Sequence, residues 1–210
     1  MKIKLLIFDF DGTLANTKNL WYNTIKKYLK KEGISFSKKD FHTKFLGIKV
    51  EEILKKLKIK NKEKIKKQIH KEVFYKIKKV NLAKSINYLK KIKVKKIIIS
   101  NTTTKNVLSC IKSKKINYFK EIYGGDKFEN KEEFIKEYIK NNKLNKDEVV
   151  YIGDTIRDIR LAKKIGCISI VIVHNISWNN KKELLRNNPS FVIESFKDLK
   201  DLIKRKSLNE

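Results

Sequence analysis

The chain reads as an α/β protein: a parallel sheet flanked by helices, with a small all-helical insertion directly after the first strand. Three observations predict this. Short apolar runs recur, several of them ending in a cluster of polar residues. From Leu82 onward they alternate with stretches of helical periodicity, the signature of strand–helix–strand units. Between the first and second runs, residues 17–80 show helical periodicity and no convincing strand.

Taken in order, Ile3 and Leu5 to Phe8, broken only by Lys4, form a run suited to a strand buried on both faces. Asp9-Phe10-Asp11-Gly12-Thr13 follows at once, and Gly12 lets the chain turn tightly. In the insertion, Trp21, Ile25, Tyr28 and Leu29 share one helical face, and Ile65, Ile69, Val73 and Ile77 recur every four residues. Shorter helices are expected over Ser37–Phe45 and Val50–Leu57, with Gly33 and Gly47 marking breaks. Beyond it, the pattern predicts a helix from Leu82 to Ile92, a strand Lys96–Ser100, a helix Thr103–Lys114 and a short strand Glu121–Tyr123 before Gly124-Gly125. A helix Lys131–Asn141, a strand Glu148–Ile152, a helix Ile156–Ile165, a strand Ile168–Val173 and a helix from Phe196 complete the alternation. The division expected is a core of residues 1–16 and 81–210 around an inserted helical unit, 17–80, with a loose polar tail after Lys204.

The 210 residues, 40% of them hydrophobic, suffice for one well-cored domain with a small accessory unit. One Pro and seven Gly, with no Gly/Ser-rich linker, argue against a disordered or beads-on-a-string chain. Two cysteines, Cys110 and Cys167, make neither a disulfide framework nor a metal-ligand spacing, which points to a reducing compartment. Lys2 and Lys4 interrupt the apolar start, unlike a secretory leader, and no apolar stretch reaches membrane-spanning length. A cytoplasmic protein without membrane partners is therefore expected. The 52 Lys and Arg against 23 Asp and Glu give a net charge of +29. The lysines are spread along the whole chain instead of forming one basic arm or a stripe interleaved with aromatics, so no specific nucleic-acid partner is expected. A general pull on anionic substrates is expected instead.

Parallel strands joined by right-handed crossovers carry their carboxyl ends to one edge, where open α/β sheets bind ligands. The first strand delivers Asp9 and Asp11 to that edge; the second delivers Ser100, Asn101 and Thr102; the run Val149–Ile152 delivers Gly153, Asp154, Thr155 and Asp158. Asp9 and Asp11, two apart in extended chain, point the same way and can converge on one hard cation or one phosphorus. Taken singly these residues have plainer uses: Ser100, Asp154 and Asp158 as helix caps, Lys131 as one surface lysine among many. Lys131 is preferred over its neighbour Lys127 because it opens the periodic helix Phe134, Ile135, Tyr138, Ile139. His42, His70 and His174 read as surface or satisfied histidines, and Trp21 and Trp178 as packing residues, although the segment His174–Leu185 could pack beside the site rim.

The motifs Asp9-Phe10-Asp11-Gly12-Thr13, Ser100 in Ile98-Ile99-Ser100-Asn101, Lys131 in Glu129-Asn130-Lys131-Glu132, and Gly153-Asp154-Thr155-Ile156-Arg157-Asp158 resemble, in this order, those of the haloacid dehalogenase-like hydrolase superfamily. The resemblance spans nearly the whole chain. It implies a Rossmann-like core with a helical cap, Asp9 as nucleophile forming an aspartyl-phosphate, and Asp11 as general acid and base. It further implies Mg²⁺ held by Asp9, the Asp11 backbone carbonyl and Asp154, a phosphate cradle of Ser100, Asn101 and Lys131, and supporting places for Thr13 and Asp158. An acid at position 11 favours phosphate-ester chemistry over the family's dehalogenating and phosphonate-cleaving branches. The function expected is Mg²⁺-dependent hydrolysis of a small phosphorylated metabolite, phosphoglycolate first, with phosphosugars, nucleoside monophosphates and pyrophosphate open. Cap residues around Gly47 and Trp21 would read the leaving group. A phosphosugar mutase is the nearest alternative, and a basic nucleic-acid-binding protein with vestigial acids the one from another class. Oligomeric state is not legible.

Overall fold

A computed structural model describes residues 2–208, with side chains through Lys204. Six strands form one sheet: β1 (Leu5–Phe8), β2 (Lys95–Ile99), β3 (Glu121–Tyr123), β4 (Val149–Gly153), β5 (Ile168–Ile172) and β6 (Phe191–Ile193). Their order is β3-β2-β1-β4-β5-β6 and every pairing is parallel. That is the Rossmann-like arrangement, and its direction reverses between β1 and β4, where a crevice opens at the carboxyl ends. The helices are α1 (Lys18–Lys31), α2 (Lys38–Asp40), α3 (Val50–Lys56), α4 (Lys62–Lys76), α5 (Thr104–Ser113), α6 (Lys131–Asn141), α7 (Ile156–Ile165), α8 (Lys181–Leu185) and α9 (Phe196–Leu208).

Alternation along β1 builds the layers. Leu5 and Ile7 face α6 and α7 through Ile135, Tyr138, Ile139, Ala162 and Ile165, while Leu6 and Phe8 face the opposite layer, which includes α5 and α9. Phe8 meets Phe119 and Phe196 edge-on at 5.6 and 6.0 Å, and all four β1 side chains are fully buried. Each such side chain contributes about 1.5–3 kcal/mol through burial, so the strand bearing the first acids is firmly anchored.

The first four helices lie between β1 and β2, and α4 packs on α1, α3 and α5. Ser37 and Asp40 form a capping box that starts α2, which runs into a π-helical turn, Phe41–Phe45, burying both phenyl rings. The two chain crossings into this insertion run side by side: Ala15 pairs antiparallel with Leu82, Asn16 N–H donates to Asn81 O at 2.8 Å, and Ala83 N–H donates to Leu14 O at 2.9 Å. That pairing holds residues 81–83 extended, so the helix expected from Leu82 reduces to a 3₁₀ segment, Ile86–Lys91. The sheet also has one strand more than expected: β6 has three residues, too few to show a period, and unlike the equally short β3 it has no glycine pair beyond its end. The backbone expected to be loose after Lys204 is helical to Leu208; residues 209–210 lie outside the described residues. Among the described residues no helix is long and apolar enough to cross a membrane. Cys110 and Cys167 are buried free thiols, each pushed up to about 12 by burial.

His70 on α4 departs from the satisfied role expected of it. Its Nδ1 is buried without a partner, and its ring meets Trp21 edge-on at 6.1 Å. Burial pushes its pKa from 6.5 down to about 4. Between these values the unfolded chain binds the extra proton, so the contribution is complete above the higher value and is lost as pH falls through the lower one. His70→Leu is expected to flatten this acid limb by about 3 kcal/mol in urea denaturation followed across that range.

Candidate active site

The turn after β1 sets the first two acids. Asp9 N–H donates to Ile152 O of β4 at 2.8 Å, and Gly12, at φ +77°, lets its own N–H reach Ala15 O at 2.8 Å. Phe10 is fully buried between Asp9 and Asp11, which both line a cavity of about 570 Å³ between the insertion and the sheet edge. A side chain at Gly12 would place its Cβ 2.3 Å from both Asp154 Oδ2 and Trp178 Cδ1. Glycine is required here by crowding as well as by φ.

Three carboxylates meet. Oxygens of Asp9, Asp154 and Asp158 lie within 4.8 Å of one another, a spacing that suits one hard cation. Asp154 is fully buried: Thr13 Oγ1 donates to its Oδ1 at 2.8 Å and Trp178 N–H to its Oδ2 at 2.5 Å. Asp158 takes Thr155 N–H at 2.9 Å and Thr155 Oγ1 at 2.5 Å on Oδ2, and Tyr151 Oη at 3.1 Å on Oδ1. Gly153 leaves room for it, since a Cβ there would stand 2.3 Å from Asp158 Cγ. Among the described residues the one ammonium bonded to the cluster is Lys131, whose Nζ donates to Asp9 Oδ1 at 2.8 Å from the first residue of α6. Burial, with Asp158 and Asp11 adding repulsion, raises Asp9 to about 7 although the Lys131 ammonium pulls it down. Burial and the Asp158 charge push Asp154 far above the usual carboxylate range. Three acids opposed by one ammonium are short of positive charge, and a divalent cation would supply it.

Asp11 points elsewhere. Its Oδ1 accepts from Thr17 Oγ1 at 2.6 Å and Trp21 Nε1 at 2.8 Å; its Oδ2 accepts from Thr102 Oγ1 at 2.6 Å and Ser100 Oγ at 3.3 Å. It therefore ties the first helix of the insertion to the end of β2. Ser100 is fully buried, with its hydroxyl between Asp11 and Thr102 N–H. Asn101 Nδ2 donates to Gly47 O in the insertion at 2.7 Å. Lys127 lines a separate groove beside α5, away from Asp9.

The expected residues thus gather at one edge, with three differences in how they stand. Asp158, given a supporting place, is in the carboxylate cluster itself; the side chain of Asp11 is outside it; and the donors on Ser100 and Asn101 are engaged within the protein. Trp21 and Trp178, read as packing residues, both donate to site carboxylates. His42 Nε2 donates to Trp178 O at 2.7 Å, and His174 Nε2 to Gly12 O at 2.9 Å, so these two are satisfied histidines that brace the rim.

Lys49 gave no signal among so many lysines. It is 6% exposed, and its Nζ donates from the insertion to Gly125 O at 2.9 Å, Glu129 O at 3.2 Å and Phe128 O, just ahead of Lys131. Lys49→Met keeps the stem and strands three carbonyls, so a loss of about 2–3 kcal/mol is expected in urea denaturation.

A capped α/β hydrolase is the class these features define: an acid pair after β1, an acid cluster across β4, and a lysine beside them under a helical insertion. The chain belongs to the haloacid dehalogenase-like hydrolase family, which it matches over residues 6–172. It is 25% identical to a phosphoglycolate phosphatase of Photorhabdus laumondii over 98% of this chain and 94% of the relative. It is also 25% identical to a phosphorylated carbohydrates phosphatase of Thermotoga maritima over 87% and 90%. A haloacid dehalogenase-like hydrolase structure from Streptococcus pneumoniae superposes with a TM-score of 0.78 at 22% identity, covering 94% of this chain and 96% of that one, which is likeness of fold.

Proposed function

We propose that the protein is a Mg²⁺-dependent phosphatase that hydrolyses a small phosphate monoester through an aspartyl-phosphate on Asp9. The observation that carries this is the meeting of Asp9, Asp154 and Asp158 within 4.8 Å, with Lys131 Nζ on Asp9 Oδ1. Asp9, Asp154 and Asp158, with the Asp11 carbonyl, would hold the cation, which when bound neutralises the acids and the phosphate oxygens. An Asp9 oxygen attacks phosphorus, the ester P–O bond breaks, and Asp11 gives its proton to the departing alkoxide. Asp11 then takes a proton from the water that attacks the acyl phosphate, releasing phosphate and restoring Asp9. Lys131 balances charge on the equatorial oxygens throughout.

Residues 17–80 act as a cap domain that shields the acyl phosphate from bulk water. Its opening would separate Asn101 from Gly47 O and Lys49 from the loop at residues 125–129. The mutase alternative has less support, because sugar hydroxyls need polar partners and the cap side chains that line the cavity are apolar. Phosphate release from a panel of monoesters with and without Mg²⁺ tests the reading: release that needs the metal supports it, and no release from any ester rejects it.

A further inference from the structure

Resting on the phosphatase reading, we infer that Lys49 is a positioning residue: reaching from the insertion into the core, it sets the 125–129 loop and through it the placement of Lys131 on Asp9, so that closure of the cap assembles the cation beside the nucleophile. The ammonium of Lys49 has three N–H donors and no acceptor, and three carbonyls, those of Gly125, Phe128 and Glu129, take them. Among the described residues no other donor reaches these carbonyls. Three carbonyl oxygens turned toward one point repel one another, and a cation between them removes the repulsion. The same ammonium lies 4.5 Å from the centre of the Phe128 ring. Gly125 makes the approach possible, since a Cβ there would stand 3.3 Å from Lys49 Cε.

The loop that Lys49 holds runs directly into Lys131. Asn130 follows Glu129 and is the N-cap of α6, its Oδ1 accepting from Glu132 N–H at 2.9 Å and Glu133 N–H at 3.3 Å; Lys131 comes next. The first turn of a helix has N–H groups without intrahelical partners, so its geometry depends on the N-cap and on the chain that enters it. Lys49 fixes that entering chain at Phe128 and Glu129, and the bond from Lys131 Nζ to Asp9 starts two residues further on. A lysine that balances charge on equatorial oxygens is effective only if it is already in place when that charge develops.

The neighbours of Lys49 tie this grip to the substrate. Ile48 and Val50 line the cavity, while Gly47 O accepts from Asn101 Nδ2 beyond the end of β2. Residues 47–50 therefore meet the leaving group through two side chains and grip the core through the others. A cap swung away takes Lys49 with it and leaves Lys131 at a helix start whose incoming chain is no longer held.

A double-mutant cycle tests this on phosphate release with Mg²⁺ from p-nitrophenyl phosphate, phosphoglycolate and glucose 6-phosphate, well below the melting temperature of each variant. Lys49→Met is expected to lower kcat about tenfold or more, and by the same factor within about threefold for every ester cleaved, because all present the same phosphoryl group to Lys131. Lys131→Met is expected to lower kcat about 10²–10³-fold. Adding Lys49→Met to Lys131→Met is expected to change it less than about twofold, because the group through which Lys49 acts is already gone. Unchanged kcat in Lys49→Met, a second loss as large as the first in the double variant, or a loss confined to esters with a bulky leaving group overturns the inference and leaves the phosphatase standing. If Lys49→Met does not fold, Lys49→Gln, which keeps an amide donor without the charge, enters the same cycle and is judged by the same pattern. Wild-type protein that releases no phosphate from any of the three esters rejects the phosphatase reading, and the inference with it.

Discussion

Asp9→Asn is expected to lower kcat for phosphate-ester hydrolysis by at least about 10⁴-fold, the scale on which loss of a covalent nucleophile acts. The amide is nearly isosteric and its oxygen still accepts from Lys131 Nζ, so the fold and the shape of the site persist. It also removes one of three carboxylates clustered within 4.8 Å, so the melting temperature without metal is expected to stay level or rise. Phosphate release and a thermal melt on one preparation read both effects. Asp11→Asn is expected to cost less, about 10²–10⁴-fold, because it removes proton transfer and leaves the nucleophile in place. Its four hydrogen-bond donors, Thr17, Trp21, Ser100 and Thr102, can accommodate an amide only in part, so some loss of cap closure should accompany it.

The second large effect concerns the metal. Mg²⁺ at a hundred times its dissociation constant is expected to stabilise the protein by about 2.7 kcal/mol. For a chain of this size that raises the melting temperature by roughly 2–4 °C per kcal/mol. Asp154→Asn is expected to abolish the shift. Asp154 is fully buried, with Thr13 and the Trp178 N–H fixing its two oxygens, so the substitution removes a ligand whose position the fold sets. A full shift retained by Asp154→Asn would move the cation away from the three-acid cluster. Removing the metal with a chelator is expected to stop phosphate release and reverse the shift together, because in the proposed mechanism one cluster would hold the ion and, through Asp9, meet the phosphoryl group.

How far the sequence carries the reader depends on what kind of pattern a feature leaves. Four strands were legible because each is a run of apolar residues with polar residues beyond its end, β3 because the short stretch Glu121–Tyr123 meets Gly124-Gly125, and the helical insertion because Ile65, Ile69, Val73 and Ile77 repeat at a helical period. β6 was not, since it is as short as β3 and has no glycine pair to mark its end, nor was the interruption at Leu82, which comes from pairing with Ala15 in a distant segment. The edge rule brought Asp9, Asp11, Ser100, Asn101, Asp154 and Asp158 to one place. It could not say which way each side chain turns there. Asp158 joins the carboxylates because Gly153 has no Cβ to block it, and Asp11 turns toward Thr17 and Trp21, contacts that exist only once the insertion packs down. Lys49 is one of 52 basic residues, and nothing local separates it from those in solvent. Trp21 looked like packing because its apolar face fits the helix period; its N–H acquires a partner only through the tertiary fold.

The central claim is that the Asp9 carboxylate takes the phosphoryl group, and trapping the acyl phosphate tests it most directly. Enzyme turning over a good monoester is quenched, reduced with borohydride, digested and read by mass spectrometry. The expected result is homoserine at position 9 and at no other aspartate, with none formed in the absence of substrate. Unmodified Asp9 in an enzyme quenched while releasing phosphate under conditions that favour the intermediate, or homoserine at a different aspartate, would contradict it.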